Sequence, residues 1–130
     1  MFDRYIIVEN SLRNLTEGDE IVGFAFEARC GYYRRLILSM VEELAVTIDG
    51  EAVPRDDVSL LVAGRSYSLE DMRSEYTVAW EFGDPATITV RRPGGLTAGP
   101  HELGLAEQLR ISYIPVPHTP STTQTQTVSA

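Results

Sequence analysis

The stretch from Tyr76 to Pro117, YTVAWEFGDPATITVRRPGGLTAGPHELGLAEQLRISYIPVP, decides the fold class. Tyr76, Val78, Trp80 and Phe82 share one parity, while Thr77, Ala79 and Glu81 share the other. This period of two marks a strand with one buried face. Gly83-Asp84-Pro85 breaks the pattern, because proline cannot continue a ladder and glycine accepts turn geometry. Ala86 to Arg92 follows, with β-branched Thr87, Ile88, Thr89 and Val90, and a Gly/Pro-rich loop from Pro93 to Pro100 ends it. The longest alternation comes next. Leu103, Leu105, Leu109, Ile111 and Tyr113 face one way, and Glu107 is the misfit in that apolar register. A helix would need apolar steps of three or four, so the stretch reads as three consecutive antiparallel strands.

Upstream, the same grammar recurs. Tyr5 to Val8 reads as a short apolar strand, and Glu17-Gly18-Asp19-Glu20 as an acidic hairpin turn. Val22, Phe24, Phe26, Ala28 and Cys30 alternate with smaller or charged residues. Asp49-Gly50 is the strongest two-residue hairpin signal in the chain. Ser68-Leu69-Glu70-Asp71 has capping-box spacing, which predicts one helical turn through Met72. Seven to nine short strands with little helix predict an all-β fold, an antiparallel, jelly-roll-like β-sandwich. Residues 1–117 are expected to form that single domain. Residues 118–130 are expected to be a disordered tail, since Ser121 to Ala130 is almost wholly Ser, Thr and Gln.

One segment breaks the rule. Leu36, Ile37, Leu38, Met40 and Val41 put apolar side chains on both faces, so a strand here must be covered twice. Tyr32, Tyr33 and Arg34 precede it in a loop begun by Gly31, and Tyr and Arg are the types that anchor interfaces. Tyr32, Tyr33, Arg34, Leu36, Ile37, Leu38 and Met40 are therefore the expected partner interface, near the mouth of a site shared with a partner; the alternative is a central strand covered on both faces within its own domain.

Composition excludes several chemistries. A net charge of −8 and a pI near 4.7 argue against a nucleic-acid binder. All 11 basic residues are Arg, so no side chain can form a Schiff base through Lys. Cys30 is alone and excludes an internal disulfide, which suits a reducing compartment. The start, Met1-Phe2-Asp3-Arg4, has no signal-peptide pattern, and no apolar run is long enough to cross a membrane. A cytoplasmic location, with no membrane or nucleic-acid partner, is expected. Gly64-Arg65-Ser66-Tyr67-Ser68 misses the nucleophile elbow at its last position. His101 and His118 lack a second His or Cys at ligand spacing. His101-Glu102 reads as a surface pair, and Trp80 as core rather than a sugar platform. No catalytic residue and no metal ligand is assigned on this chain, a profile that fits an accessory subunit.

The ordered set Phe2-Asp3-Arg4-Tyr5-Ile6-Ile7-Val8, Gly31-Tyr32-Tyr33-Arg34, Asp49-Gly50-Glu51-Ala52-Val53-Pro54-Arg55, Trp80-Glu81-Phe82-Gly83-Asp84-Pro85-Ala86, Arg92-Pro93-Gly94-Gly95-Leu96 and Arg110-Ile111-Ser112-Tyr113-Ile114-Pro115 resembles the small β subunit of bacterial C-glycoside deglycosidases. The resemblance spans residues 2 to about 117. It implies a catalytic α subunit, a TIM barrel holding a divalent metal (manganese), with no cofactor on this chain. It further implies cleavage of the carbon–carbon bond in 3-oxo-C-glucosides of flavonoids by elimination, a lyase reaction of carbohydrate catabolism. A stand-alone carbohydrate-binding module and a structural oligomerisation domain are the two competing readings.

Overall fold

Alternation along the strands becomes two layers. The computed structural model describes residues 3–32, 35–81, 83–111 and 114–129. In chain order the strands are β1 (Arg13–Glu17), β2 (Glu20–Ala28), β3 (Leu36–Ile37), β4 (Val41–Ile48), β5 (Glu51–Ala52), β6 (Val58–Val62) and β7 (Arg65–Ser68). A single helical turn, α1 (Leu69–Met72), precedes β8 (Ala79–Trp80), β9 (Ala86–Arg91), β10 (Gly99–Leu109) and β11 (Ser121–Val128). One sheet runs β1-β2-β9-β6-β7, a second runs β11-β10-β4-β5, and β3 pairs with β8 in a small ladder. Every pairing of named strands is antiparallel.

Inward residues of both large sheets enter one buried cluster. Phe24, Phe26, Ile88, Val90, Val58 and Leu60 come from the first sheet; Leu44, Val46, Ile48, Leu103, Leu105 and Leu109 come from the second. This is the antiparallel β-sandwich expected from the alternation. In β4 the spacing Val41–Leu44 breaks strict alternation, yet both residues are buried. A bulge resolves it: Leu109 lies opposite Val41 and Gln108 opposite Glu43, which leaves Glu42 as the extra residue.

Local signals are obeyed. Asp49 and Gly50 both have positive φ, 52° and 84°, as a tight hairpin turn demands, and they join β4 to β5. The Ser68 hydroxyl accepts from the Asp71 N–H at 3.0 Å, and the Asp71 carboxylate accepts from the Ser68 N–H at 3.4 Å, capping α1 as the spacing predicts.

Strand partnerships differ from the expected three-strand unit. β8, β9 and β10 pair with β3, with β2 and β6, and with β4 and β11 respectively, and never with one another. The first of them shrinks to Ala79–Trp80, and Tyr76 is 69% exposed instead of buried. Tyr5 to Val8 is also not a full strand. A 3-10 turn at Asp3–Tyr5 is followed by one bridge from Ile7 to Ala28.

The largest correction concerns the tail. Ser121–Val128 is no disordered extension; it pairs with β10 from Ala106↔Ser121 to Gly99↔Val128. Composition misleads here because a ladder is made of backbone groups, and β10 supplies an open edge for it. Four of the eight residues in β11 are threonine, whose branched Cβ suits a strand. The strand also buries Val128 and the side chain of Gln126. The Gln126 carboxamide oxygen accepts from the N–H groups of Ser11 (3.0 Å) and Leu12 (2.9 Å). Its amide donates to the Val8 carbonyl at 2.9 Å. One side chain thus satisfies three backbone groups of the segment that leads into β1.

Candidate functional site

The apolar run at 36–41 folds as two strand residues, a 3-10 turn (Leu38–Met40) and the start of β4. The turn rephases the chain, so a long strand buried on both faces does not form. Leu36 faces inward opposite Trp80, and Leu38 is also fully enclosed. Ile37 lies opposite Ala79 on the other face of the β3–β8 ladder, where both are half-buried. Met40 is half-buried against the core. The Leu38 and Ser39 N–H groups bind the carbonyls of Val78 and Glu75, each at 2.9 Å, lashing this run to the segment before β8.

Beside Ala79 the surface dips into a hollow of about 310 Å³, walled by Leu61, Val62, Trp80 and Pro85. Leu61 is 38% exposed. Of the apolar residues expected at an interface, Leu36 and Leu38 are enclosed within the chain itself, and Ile37 and Met40 are half-buried; Ala79, opposite Ile37, borders this hollow. Tyr32 is buried and meets the His118 ring edge-on, centroids 5.8 Å apart. Tyr33 and Arg34 lie outside the described residues. A larger polar hollow of about 430 Å³ is lined by Arg55, Arg73, Arg110 and Glu42, and two of its arginines are paired with acids outside the lining. Arg55 pairs with Glu43 at 2.9 Å, and Arg73 with Glu70 at 3.4 Å.

The cluster under Tyr32 was not assigned from sequence, although Glu107 was visible as the misfit in β10. Alternation turns Glu107 inward with Leu105 and Leu109, where it is 1% exposed. Its Oε1 accepts from the Gly31 N–H at 2.7 Å, and its Oε2 is enclosed with no hydrogen-bond partner among the described residues. Burial pushes its carboxyl up to about 8, against the lesser opposing pull of the Gly31 N–H. Burial thus favours the protonated, neutral form of this side chain. His118 closes the other side of the corner, its Nε2 donating to the Gly31 carbonyl at 2.9 Å. Burial, then the nearby Glu107, drives the Cys30 thiol far above its usual range, which leaves it unreactive.

A second polar cluster has the outline of a catalytic triad but not its function. His101 Nδ1 lies 2.6 Å from Asp49 Oδ2, while Nε2 lies 2.7 Å from the Thr97 carbonyl and 3.4 Å from its hydroxyl. With the carbonyl taking Nε2–H, the imidazole has no free nitrogen to act as a base. His101 is buried and bonded to Asp49, so it is not the surface pair with Glu102 that its neighbour suggested. The arrangement latches the β4–β5 turn onto β10. The hydrogen bond to Asp49, then that to Thr97, raises the His101 pKa, and the bond from His101 lowers that of Asp49.

The sign of the pH effect follows. His101 contributes fully below its unfolded value of 6.5, and loses the contribution as pH rises through its higher folded value. Asp49 contributes above 3.8 and loses its share as pH falls through its lower folded value. Asp49→Asn keeps the left-handed turn residue and removes the charge. It is expected to lower Tm more at pH 6 than at pH 9; an equal drop at both would show that the latch carries no ion-pair energy.

These features define an all-β sandwich subunit whose polar side chains hold its own loops, with an apolar patch at the β3–β8 ladder. Among the described residues, no group of three or more His, Cys, Asp or Glu could hold a metal ion. Residues 2–113 match the family described as C-glycoside deglycosidase beta subunit. A C-glycoside deglycosidase beta subunit of Eubacterium cellulosolvens is 31% identical over 87% of this chain and 78% of its own length. A 3'-dehydrocarminate deglycosidase beta subunit of a Microbacterium species is 39% identical over 89% of this chain and 83% of its own length. A C-glycoside deglycosidase beta subunit of Arthrobacter globiformis is 31% identical over 72% of each chain. The chain belongs to the C-glycoside deglycosidase beta subunit family. The family match ends at residue 113, before β11 begins.

Proposed function

We propose that this chain is the accessory β subunit of a heteromeric C-glycoside deglycosidase, and that it docks on the catalytic α subunit through Ile37, Ala79 and the adjoining hollow. The observation that carries the reading is the family match over residues 2–113. In this reading the substrate is a 3-oxo-C-glucoside, consistent with the Microbacterium relative being named for a 3'-dehydro compound. The C3 ketone acidifies the C2–H bond, and a base on the α subunit removes that proton. The C2–H electron pair becomes the C1–C2 double bond, and the C1–aglycone pair leaves with the aglycone carbon, which takes up a proton. A TIM-barrel α subunit with a divalent metal, manganese, would supply positive charge to the enolate oxygen. Among the described residues no group of three or more His, Cys, Asp or Glu comes together to hold a metal, and no step is assigned to the metal on this chain. A cytoplasmic location is part of the proposal; among the described residues, no helix is long and apolar enough to cross a membrane.

A stand-alone carbohydrate-binding module that stacked sugar on Trp80 would need that indole exposed, and Trp80 is fully buried. Co-purification with an α subunit, followed by assay on a 3-oxo-C-glucoside and its unoxidised parent, tests the whole reading. Cleavage of the oxo sugar by the pair alone is expected. Ile37→Asp then tests the surface. The variant is expected to remain folded, because Ile37 faces away from the core, and to bind the α subunit at least tenfold more weakly. A folded variant with native affinity would remove this face from the interface.

A further inference from the structure

The Gly31–Tyr32 corner, between β2 and β3, is gripped from two sides by titratable side chains that come from distant parts of the chain. Glu107 on β10 takes the Gly31 N–H, and His118, after β10, takes the Gly31 carbonyl. The fit leaves no slack. A Cβ at Gly31 would lie 2.3 Å from Pro120 Cγ and 2.8 Å from Glu107 Oε1, so only glycine allows this approach. His118 is itself fixed by a double backbone bond with Leu109, 2.8 Å in each direction. The Glu107 N–H is held by the Pro120 carbonyl at 2.9 Å.

We propose that Glu107 and His118 form a proton-operated clamp on the Gly31–Tyr32 corner, closed while the Glu107 carboxyl is neutral and released when it ionises. The groups near Glu107 are the Cys30 thiol and, beyond Gly31, His118; its β4 neighbour in register is Leu44. Among the described residues no Arg forms an ion pair with it. An ionised Glu107 would thus be a buried charge with one donor among the described residues, the Gly31 N–H, for its two oxygens. A carboxylate so placed gains by meeting water, and the route to water is the opening of the corner. The burial that pushes its pKa to about 8 puts the switch just above neutrality. The corner leads into β3, so release would loosen the chain where it enters the β3–β8 ladder. The clamp stands on this geometry whether or not that ladder is the docking face.

The test is NMR of the full chain, following the Gly31 amide and the Glu107 side-chain carboxyl carbon with pH. Both are expected to titrate together near pH 8, and Gly31 hydrogen-exchange protection should fall at least tenfold across that step after correction for base catalysis. Glu107→Gln keeps an oxygen for the Gly31 N–H, so it should abolish the Gly31 titration and keep the amide protected at high pH. His118→Asn should lower Gly31 protection at every pH. A Glu107 carboxyl that titrates in the ordinary range near 4.5 would overturn the proposal, as would unchanged Gly31 protection across its titration. If Glu107→Gln fails to fold, the wild-type carboxyl and amide titrations decide alone.

Discussion

Removing residues 121–130 is expected to abolish cooperative folding. The cut strips the β11 ladder from β10, eight residue pairs in all. It also strands the backbone groups that Gln126 satisfies, namely the Ser11 and Leu12 N–H groups and the Val8 carbonyl. Each such group left buried costs about 1–3 kcal/mol. Loss of Val128, 2% exposed, adds about 1.5–3 kcal/mol of apolar burial. The sum, roughly 4.5–12 kcal/mol, is comparable to the whole stability of a typical domain. Composition alone argues the reverse, that such a segment can be shed freely. Thermal unfolding followed by circular dichroism separates the two: a truncated chain melting within a few degrees of the full one would show that β11 is not integral. Gln126→Ala is the finer probe, expected to fold but melt lower.

Trp80→Ala is expected to destabilise the chain by about 3–5 kcal/mol, the range for emptying a large aromatic site. Trp80 is fully buried, faces Leu36 in the β3–β8 ladder, and donates its indole N–H to the Asp84 carbonyl at 3.3 Å. With only two residue pairs, that ladder depends on side-chain packing more than on backbone bonds. The cavity should therefore loosen β3 and the outward Ile37 as well. Denaturant unfolding gives the magnitude; a midpoint unchanged from the parent chain would mean that the indole contributes no net packing.

How much of this was legible depended on whether the signal was local. Asp49-Gly50 and the Ser68/Asp71 box need only a few adjacent residues, and both formed as read. Strand faces were legible because side-chain direction alternates with backbone geometry: Phe24, Ile88 and Leu105 all turned inward. Neighbours were not, since alternation states which face is buried and says nothing of which edge is paired. Hence β8, β9 and β10, consecutive in the chain, were placed side by side when they belong to three ladders. At Leu36 to Val41 one 3-10 turn mimicked a two-faced strand, because it shifts phase without any glycine or proline to announce it. The Glu107 corner was half-legible: the misfit acid stood out, but its tether to Gly31, 76 positions away, is purely tertiary.

The bonds of Gln126 also bear on how the chain comes to be folded. They join positions separated by 114 to 118 residues, among the longest loops this sequence could close. During synthesis, the backbone at Val8, Ser11 and Leu12 must wait, hydrated, until β11 has been made. The β11–β10–β4–β5 sheet likewise stays open at one edge until then. Such closure places folding on the slow side for a domain of this size. In the interval the β10 edge is the exposed, adhesive surface that a nascent chain must keep from pairing with another copy.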